Sequence, residues 1–322
     1  MAAYTELDFE EINQIVGFYD LGTLLDFIPL SLGISNSNYQ VEVKNKGIKQ
    51  KFLLKVSNDK GPQQLHKEQV ILQVLKKLNF TYSICCLETK DGNMIYEHED
   101  KVGVLFPFVE GIPPGPSDFT CKEIGRGLAE LHSLDLNGFV DEIRDQSEVG
   151  YGPQDILDFS NSDECPTDFK SFFNRIFEDQ LKEFLGVHFQ TGLIHGDLYY
   201  DNTLFDNNKL KAILDFEQSG LGALIFDIGI SISGTCLEKG RIIRPLIKSF
   251  LIGYESVRPL PLEEREFLNH SIILGLFSIA LWRVKRFTLG NLDPTMADSY
   301  MELIQRAINF KNSMIELKRS PF

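Results

Sequence analysis

Positive charge is scarce in this chain of 322 residues. Its 32 lysines and arginines stand against 46 aspartates and glutamates, a formal net charge of −14. A surface so acidic is not drawn to the nucleic-acid backbone or to an anionic membrane, so any phosphate it handles must be held by a local device. Long apolar runs are also missing. The longest, Ser271 to Trp282, is flanked by His270 and Arg283 and falls short of the roughly 20 residues that cross a bilayer, so it is expected to be a core helix. The start of the chain, Met1-Ala-Ala-Tyr-Thr-Glu-Leu-Asp-Phe-Glu-Glu11, lacks the basic residues and apolar stretch of a signal peptide. Cysteines number five, an odd count that includes the adjacent pair Cys85 and Cys86 and shows no metal-binding spacing. A disulfide framework is thereby excluded, and a reducing, cytoplasmic location is expected.

What remains is ordinary globular material, 43% hydrophobic and 24% charged, without internal repeats or low-complexity tracts. At about 150 residues per domain the length suggests two domains or one large two-lobed unit. The composition changes character near residue 110. Before it, Asn38-Tyr-Gln-Val-Glu-Val-Lys44 alternates as a strand does, Asn45-Lys-Gly47 offers a turn, and Lys51-Phe-Leu-Leu-Lys-Val56 returns. Pro62 then stands at a first helical position, and Ile71, Val74, Leu75 and Leu78 carry helical spacing that turns Glu68 inward. A further strand, Gly103 to Val109, leads into Glu110-Gly-Ile-Pro-Pro-Gly-Pro116, a hinge by its proline and glycine content. The expected division is therefore 1–110 and 111–322.

After the hinge the pattern is mainly helical. Thr120-x-x-Glu123 reads as a capping box for a helix carrying Ile124, Leu128 and Leu131, and a polar, acidic loop is expected over roughly 138 to 165. Phe169, Phe172, Phe173, Ile176 and Phe177 mark another core-facing helix. Two short apolar runs end in charge, Gly192-Leu-Ile-His-Gly-Asp197 and Lys209-Leu-Lys-Ala-Ile-Leu-Asp215, and several helices follow from about 222.

The chemistry concentrates in His195-Gly-Asp-Leu-Tyr-Tyr-Asp-Asn202 and, thirteen residues after Asn202, Asp215-Phe-Glu217. One carboxylate can take the proton of an attacking hydroxyl, while a second carboxylate and an amide oxygen can hold a hard divalent cation against phosphates. The spacing resembles that of eukaryotic-type kinases. It casts Asp197 as catalytic base and Asn202 and Asp215 as ligands of Mg²⁺. Lys55 on the return strand and Glu68 on the following helix suit the lysine that meets the α- and β-phosphates of ATP and the glutamate that orients it. Gly33-Ile-Ser-Asn-Ser-Asn-Tyr39 stands where a nucleotide-covering loop belongs. It has one glycine, Gly33, so Ser35, Asn36, Ser37 and Asn38 would supply the donors to phosphate oxygens. Phe106, Phe108 and Val109 at the hinge would face adenine. His132 reads as a hydrogen-bonded structural histidine, and Asp227 either as a brace of the Asp197 loop or as a helix cap.

Protein kinases would carry arginine at the position of Gly196 and a long activation segment, yet only eleven residues separate Asp215 from Asp227. The remaining pattern, His195 to Asn202, Asp215 to Glu217 and Leu128-Ala-Glu-Leu-His132, resembles the aminoglycoside phosphotransferase/choline kinase superfamily. Within it the chain is most similar to bacterial homoserine kinases of this fold, through Gly33 to Tyr39, Phe108-Val-Glu-Gly111, Gly192 to Asn202, Gly253-Tyr-Glu-Ser-Val-Arg-Pro-Leu260 and Ala280-Leu-Trp-Arg-Val-Lys-Arg-Phe287. Asp215-Phe-Glu217 departs from the Asp-Phe-Tyr of such enzymes, and Lys55 is more typical of the wider superfamily.

The resemblance implies an α+β, two-lobed protein-kinase-like fold. Its N-terminal lobe would be an antiparallel sheet with one helix that binds the nucleotide, and its larger, mainly helical C-terminal lobe would carry catalysis and acceptor binding. It also implies ATP- and Mg²⁺-dependent phosphorylation of the side-chain hydroxyl of L-homoserine. A zwitterionic acceptor asks for a cation and a carboxylate, for which Arg283 and Glu217 are the expected residues. The alternatives are an aminoglycoside- or choline-type acceptor, which the net charge would attract, and a catalytically silent nucleotide-binding module. The partner is expected to be a small molecule, with neither nucleic acid nor membrane, and the protein a monomer or weak homodimer.

Overall fold

A computed structural model describes residues 5–30, 36–146, 150–290 and 293–319. The chain divides into two compact units, 1–110 and 111–322.

The first unit runs α1 (Phe9–Gly17), β1 (Thr23–Leu30), β2 (Asn36–Asn45), β3 (Ile48–Ser57), α2 (Pro62–Lys77), β4 (Tyr96–His98) and β5 (Lys101–Pro107). Its strands form one antiparallel sheet in the order β1-β2-β3-β5-β4. The β2–β3 hairpin turns at Lys46 and Gly47, both at positive φ (48° and 87°), the conformation that a two-residue hairpin loop requires and glycine tolerates best. Alternation then sorts the side chains. Tyr39, Val41, Val43, Phe52, Leu54 and Val56 turn to one face, where α1 covers them with Ile12, Ile15 and Val16. Lys55 turns to the other.

Helix α1 corrects the expectation of a single helix beside this sheet. Its signal lies in the sequence. Asp8 caps it, the Glu11 amide donating to Asp8 Oδ1 and the Asp8 amide to Glu11 Oε2, a reciprocal box that precedes Ile12, Ile15 and Val16. Asn36 and Ser37 also differ from expectation, since strand β2 begins with them, two residues before the expected start at Asn38.

The second unit continues with α3 (Asp118–His132), α4 (Val140–Gln146), α5 (Pro153–Ser160), α6 (Thr167–Ile176), α7 (Glu178–Leu185), β6 (Thr191–Ile194), β7 (Thr203–Asp206), β8 (Lys209–Ile213), β9 (Gly220–Ala223), α8 (Leu224–Thr235), β10 (Leu237–Glu238), β11 (Arg241–Ile242), α9 (Arg244–Glu255), α10 (Leu262–Arg283) and α11 (Tyr300–Arg319). Two expectations fall here. The segment 138–165 is not a loop, because α4 and α5 lie within it and bury Ile143, Ile156 and Phe159. The cap of α3 is Ser117 rather than Thr120, whose hydroxyl accepts the Ser117 amide from inside the first turn. Glu123 pairs with Arg126 instead.

Helix α10 with its π-helical extension, Leu262–Leu289, is long and apolar enough by composition to cross a membrane. Its apolar stretch is instead core, with every residue from Ser271 to Leu281 buried. Phe277 is ringed by Phe169, Phe173 and Phe177 at centroid distances of 5.6, 5.5 and 5.9 Å. Helix α8 is buried on all sides and packs on α10. Two antiparallel pairs, β6–β9 and β7–β8, position the loops between them. The His195–Asn202 loop joins β6 to β7, and Asp215 follows β8, so both pairs deliver their connections to one place. The Leu214 amide donates to the Asn202 carbonyl at 2.8 Å and holds the two connections together.

Candidate active site

Each unit carries its own share of the residues singled out by sequence. In the first, Lys55 and Glu68 are 8% and 6% exposed, with Lys55 Nζ 3.7 Å from Glu68 Oε2. Buried charges of opposite sign persist when each meets the other, and α2 brings its inward carboxylate to the sheet face that Lys55 occupies. Gly103 permits the backbone to close up beside it, since a Cβ there would fall 2.1 Å from the Lys55 carbonyl oxygen. In the β2–β3 register Asn38 lies opposite Lys55, Ser37 opposite Val56 and Asn36 opposite Ser57. The Ser37 hydroxyl accepts the Thr5 amide at 2.8 Å and donates to Asn58 Oδ1 at 3.1 Å, which ties the start of the chain to this end of the hairpin. Gly33 and Ser35 lie outside the described residues. Phe106 is buried in β5, and Phe108 and Val109 continue past it half-buried, with Lys51 Nζ 5.7 Å from the centre of the Phe108 ring.

In the second unit the Asp197 loop is built from its backbone outward. Gly196 has φ 81°, and a Cβ there would sit 2.4 Å from the Gln218 carbonyl oxygen, so an arginine could not stand at this position. His195 is buried beneath the loop. Its Nδ1 accepts the Asp197 amide at 3.2 Å and its Nε2 donates to the Leu214 carbonyl at 2.9 Å, while its ring lies 4.7 Å from that of Phe216. Burial lowers the His195 pKa, in keeping with a neutral ring whose Nδ1 is an acceptor. Asn202 Nδ2 donates to the Asp197 carbonyl at 2.7 Å and approaches its Oδ2 at 3.4 Å, fixing the carboxylate and leaving the amide oxygen as an acceptor. The Asp197 carboxyl is pushed well above the usual range, first by desolvation and then by the charges of Asp215, Asp201 and Glu217. Asp215 has a left-handed backbone (φ 63°, ψ 63°), and its carboxylate and that of Glu217 offer oxygens within 4.8 Å of each other. An amide oxygen and two carboxylates form a donor set suited to a hard divalent cation.

Asp227 is the brace of this loop rather than a helix cap. Its Oδ2 accepts the His195 amide at 2.7 Å and its Oδ1 the Gly196 amide at 2.9 Å. His132 Nε2 donates to the same Oδ2 at 3.0 Å, and His132 Nδ1 lies 2.7 Å from the Tyr254 hydroxyl. Arg258 donates to that hydroxyl at 3.0 Å, to both carboxylate oxygens of Glu264 at 2.8 Å and to Gln190 at 2.7 Å. Sequence reasoning found His132 and Asp227 but gave no role to Tyr254, Arg258 or Glu264. The Tyr254-Glu-Ser-Val-Arg258 segment stood out only as part of a resemblance. Arg283, expected to serve the acceptor, donates to the Ser299 carbonyl at 2.8 Å and approaches Glu302 at 3.4 Å.

Residues 26–260 match the phosphotransferase enzyme family. The chain belongs to that family. A homoserine kinase of Agrobacterium fabrum (strain C58) is 28% identical over 83% of this chain and 82% of its own length. One of Polaromonas naphthalenivorans (strain CJ2) is 25% identical over 90% of this chain and 91% of its own. Among solved structures, an amicoumacin kinase in complex with AMP-PNP, Ca²⁺ and Ami covers 95% of this chain and 94% of its own at 14% identity, with a TM-score of 0.71, so the fold is shared. The protein is accordingly a small-molecule kinase that acts on an alcohol group, and its family implies ATP and a divalent metal ion as cofactors.

Proposed function

We propose that the enzyme transfers the γ-phosphoryl group of ATP to the side-chain hydroxyl of L-homoserine, with Mg²⁺ as the divalent ion, as a cytoplasmic enzyme of threonine biosynthesis. The observation that carries the acceptor is that relatives aligning over 81–91% of this chain share the name homoserine kinase. The chemistry rests on the Asp197 loop. Asp197, oriented by Asn202, is suited to receive the acceptor's hydroxyl proton. Asn202, Asp215 and Glu217 would hold the metal ion, which supplies charge neutralisation at the phosphates when bound. On this reading Glu217 would serve the metal ion rather than the acceptor's ammonium.

Lys55, oriented by Glu68, would meet the α- and β-phosphates, with Asn36 and Asn38 beside it in the register. Phe106, Phe108 and Val109 would border the adenine. No covalent intermediate is required. Positioning and charge stabilisation supply the acceleration. The small-molecule role needs neither nucleic acid nor membrane, and a monomer or weak homodimer suffices.

The test is ADP release from Mg-ATP across L-homoserine, L-serine, L-threonine, choline, methylthioribose and an aminoglycoside. Turnover confined to L-homoserine is expected. Preference for choline or the aminoglycoside would overturn the acceptor and keep the phosphotransferase.

A further inference from the structure

In so acidic a protein, a local surplus of positive charge is informative. Two arginines of the second unit converge on one glutamate where α10 and α11 meet. Arg283, the last residue of α10, reaches Glu302 Oε2 at 3.4 Å, and Arg306 of α11 donates through Nη2 to Glu302 Oε1 at 2.7 Å. One carboxylate thus serves two guanidiniums. Exposure separates the partners further, for the Arg306 side chain is 8% exposed and that of Glu302 61%. Arg306 has given up its hydration to a carboxylate that remains largely in solvent, a poor exchange for a purely structural pair. Donors are also left over. Arg306 Nε and the Ser299 hydroxyl are buried and have no hydrogen-bond partner among the described residues. Buried donors are normally paired, so unpaired ones beside surplus charge mark a place that an anion completes.

The same arginines act on the loop that carries Asp197. Tyr199 lies against α8, its ring 2.1 Å from where a Cβ on Gly234 would be, and its hydroxyl is 3.2 Å from Ser233 Oγ. Burial drives the Tyr199 phenol upward; the Ser233 hydrogen bond pulls against it most, and the charges of Arg306 and Arg283 add to that pull. Both guanidiniums are therefore within electrostatic reach of a residue two positions from Asp197.

We propose that Arg306, with Arg283 and the Ser299 hydroxyl, binds the carboxylate of the acceptor and so selects a hydroxylated amino acid over a cationic amino alcohol. The proposal rests on the homoserine reading above and assigns the group that enforces it. A guanidinium fork suits a carboxylate, and an acceptor without one leaves the surplus charge unmet and meets it as repulsion. An acidic exterior attracts amines in general; this subsite rejects those that lack a carboxylate.

The experiment compares L-homoserine with 3-aminopropan-1-ol, which differ by the carboxylate alone, in an ADP-release assay on the full chain. The wild type is expected to favour L-homoserine. Arg306→Gln should lower the ratio of the two kcat/KM values by about 10- to 100-fold, mainly through KM for L-homoserine, and Arg306→Lys should restore part of it. A reduced folded fraction scales both acceptors alike and leaves the ratio unmoved. Arg283→Gln, at a more exposed position, supplies the same comparison where Arg306→Gln does not fold. An unchanged ratio in the folded variants overturns the arginine assignment and leaves the homoserine reading standing. A wild type inert on L-homoserine overturns that reading instead. Calorimetric titration of L-homoserine then decides the arginines: heat lost in the variant supports them, and no heat in the wild type overturns them.

Discussion

The carboxylate of Asp227 accepts the backbone amide of His195 at 2.7 Å, across 32 residues of sequence. Its other oxygen accepts the amide of Gly196 at 2.9 Å, so a single side chain fixes the entry to the Asp197 loop. Asparagine at this position would present one acceptor oxygen and an N–H₂ group to three donors. Asp227→Asn should cost about 3 kcal/mol of stability and lower turnover as well. Urea unfolding followed in parallel with ADP release checks both effects.

The same carboxylate predicts a pH dependence. Burial alone would raise its pKa, but the hydrogen bond and charge of His132, with the neighbouring His195 and its amide, outweigh burial and hold it below the ordinary value. A carboxyl group whose folded pKa is depressed stabilises the protein above its unfolded pKa of about 4 and loses that contribution as pH falls through the folded value. As pH falls below about 4, wild-type stability should therefore fall more steeply than that of Asp227→Asn. Equal slopes would remove Asp227 from the acid limb.

Asp197→Asn keeps the size of the side chain and its contact with Asn202 while removing the proton acceptor. Turnover should drop about 10²- to 10⁴-fold, with the KM for ATP little changed. Steady-state kinetics decide this, and unchanged turnover would sink the assignment of the base.

Lys55→Met removes the cation 3.7 Å from the buried Glu68 carboxylate. The KM for ATP should rise about tenfold, as expected when a charge-assisted contact to phosphate is lost. Because the two residues are neighbours, Lys55→Met and Glu68→Gln should be less than additive in stability. A double-mutant cycle measures the coupling.

Phe277→Ala empties the centre of the ring formed by Phe169, Phe173 and Phe177. A loss of about 3–5 kcal/mol is expected from the cavity and the lost transfer energy. The urea midpoint reports it, and a shift under 1 kcal/mol would contradict a close-packed aromatic centre.

Where a signal was local and periodic, the sequence was readable. Strand β3 with Lys55, the inward Glu68, and the buried stretch from Ser271 all follow from spacing that sterics translate directly into faces. Strand β1 escaped because a bulge between Leu24 and Asp26 breaks its alternation, and at the sheet edge most of its side chains stay exposed. Helices α4 and α5 escaped because they are short, and their acidic outer faces read as loop. The motif residues declared themselves through fixed spacing, whereas Tyr254 and Arg258 reach His132 and Gln190, 122 and 68 residues away in sequence. Glu302 is four residues from Arg306 but nineteen from Arg283, and only the packing of α10 on α11 makes it the partner of both.

The buried series from Asp227 through His132, Tyr254 and Arg258 to Glu264 has a consequence for how such a sequence can change. Each member satisfies the next, so the first replacement strands a polar group and carries most of the penalty, while a second replacement beside it carries less. Substitutions along the series are thus epistatic, tolerated in company and punished alone. Arg283 and Arg306 stand outside it, sharing only an exposed glutamate. Drift and selection can rework the proposed acceptor subsite one residue at a time, while the support of the Asp197 loop must move as a block or stay.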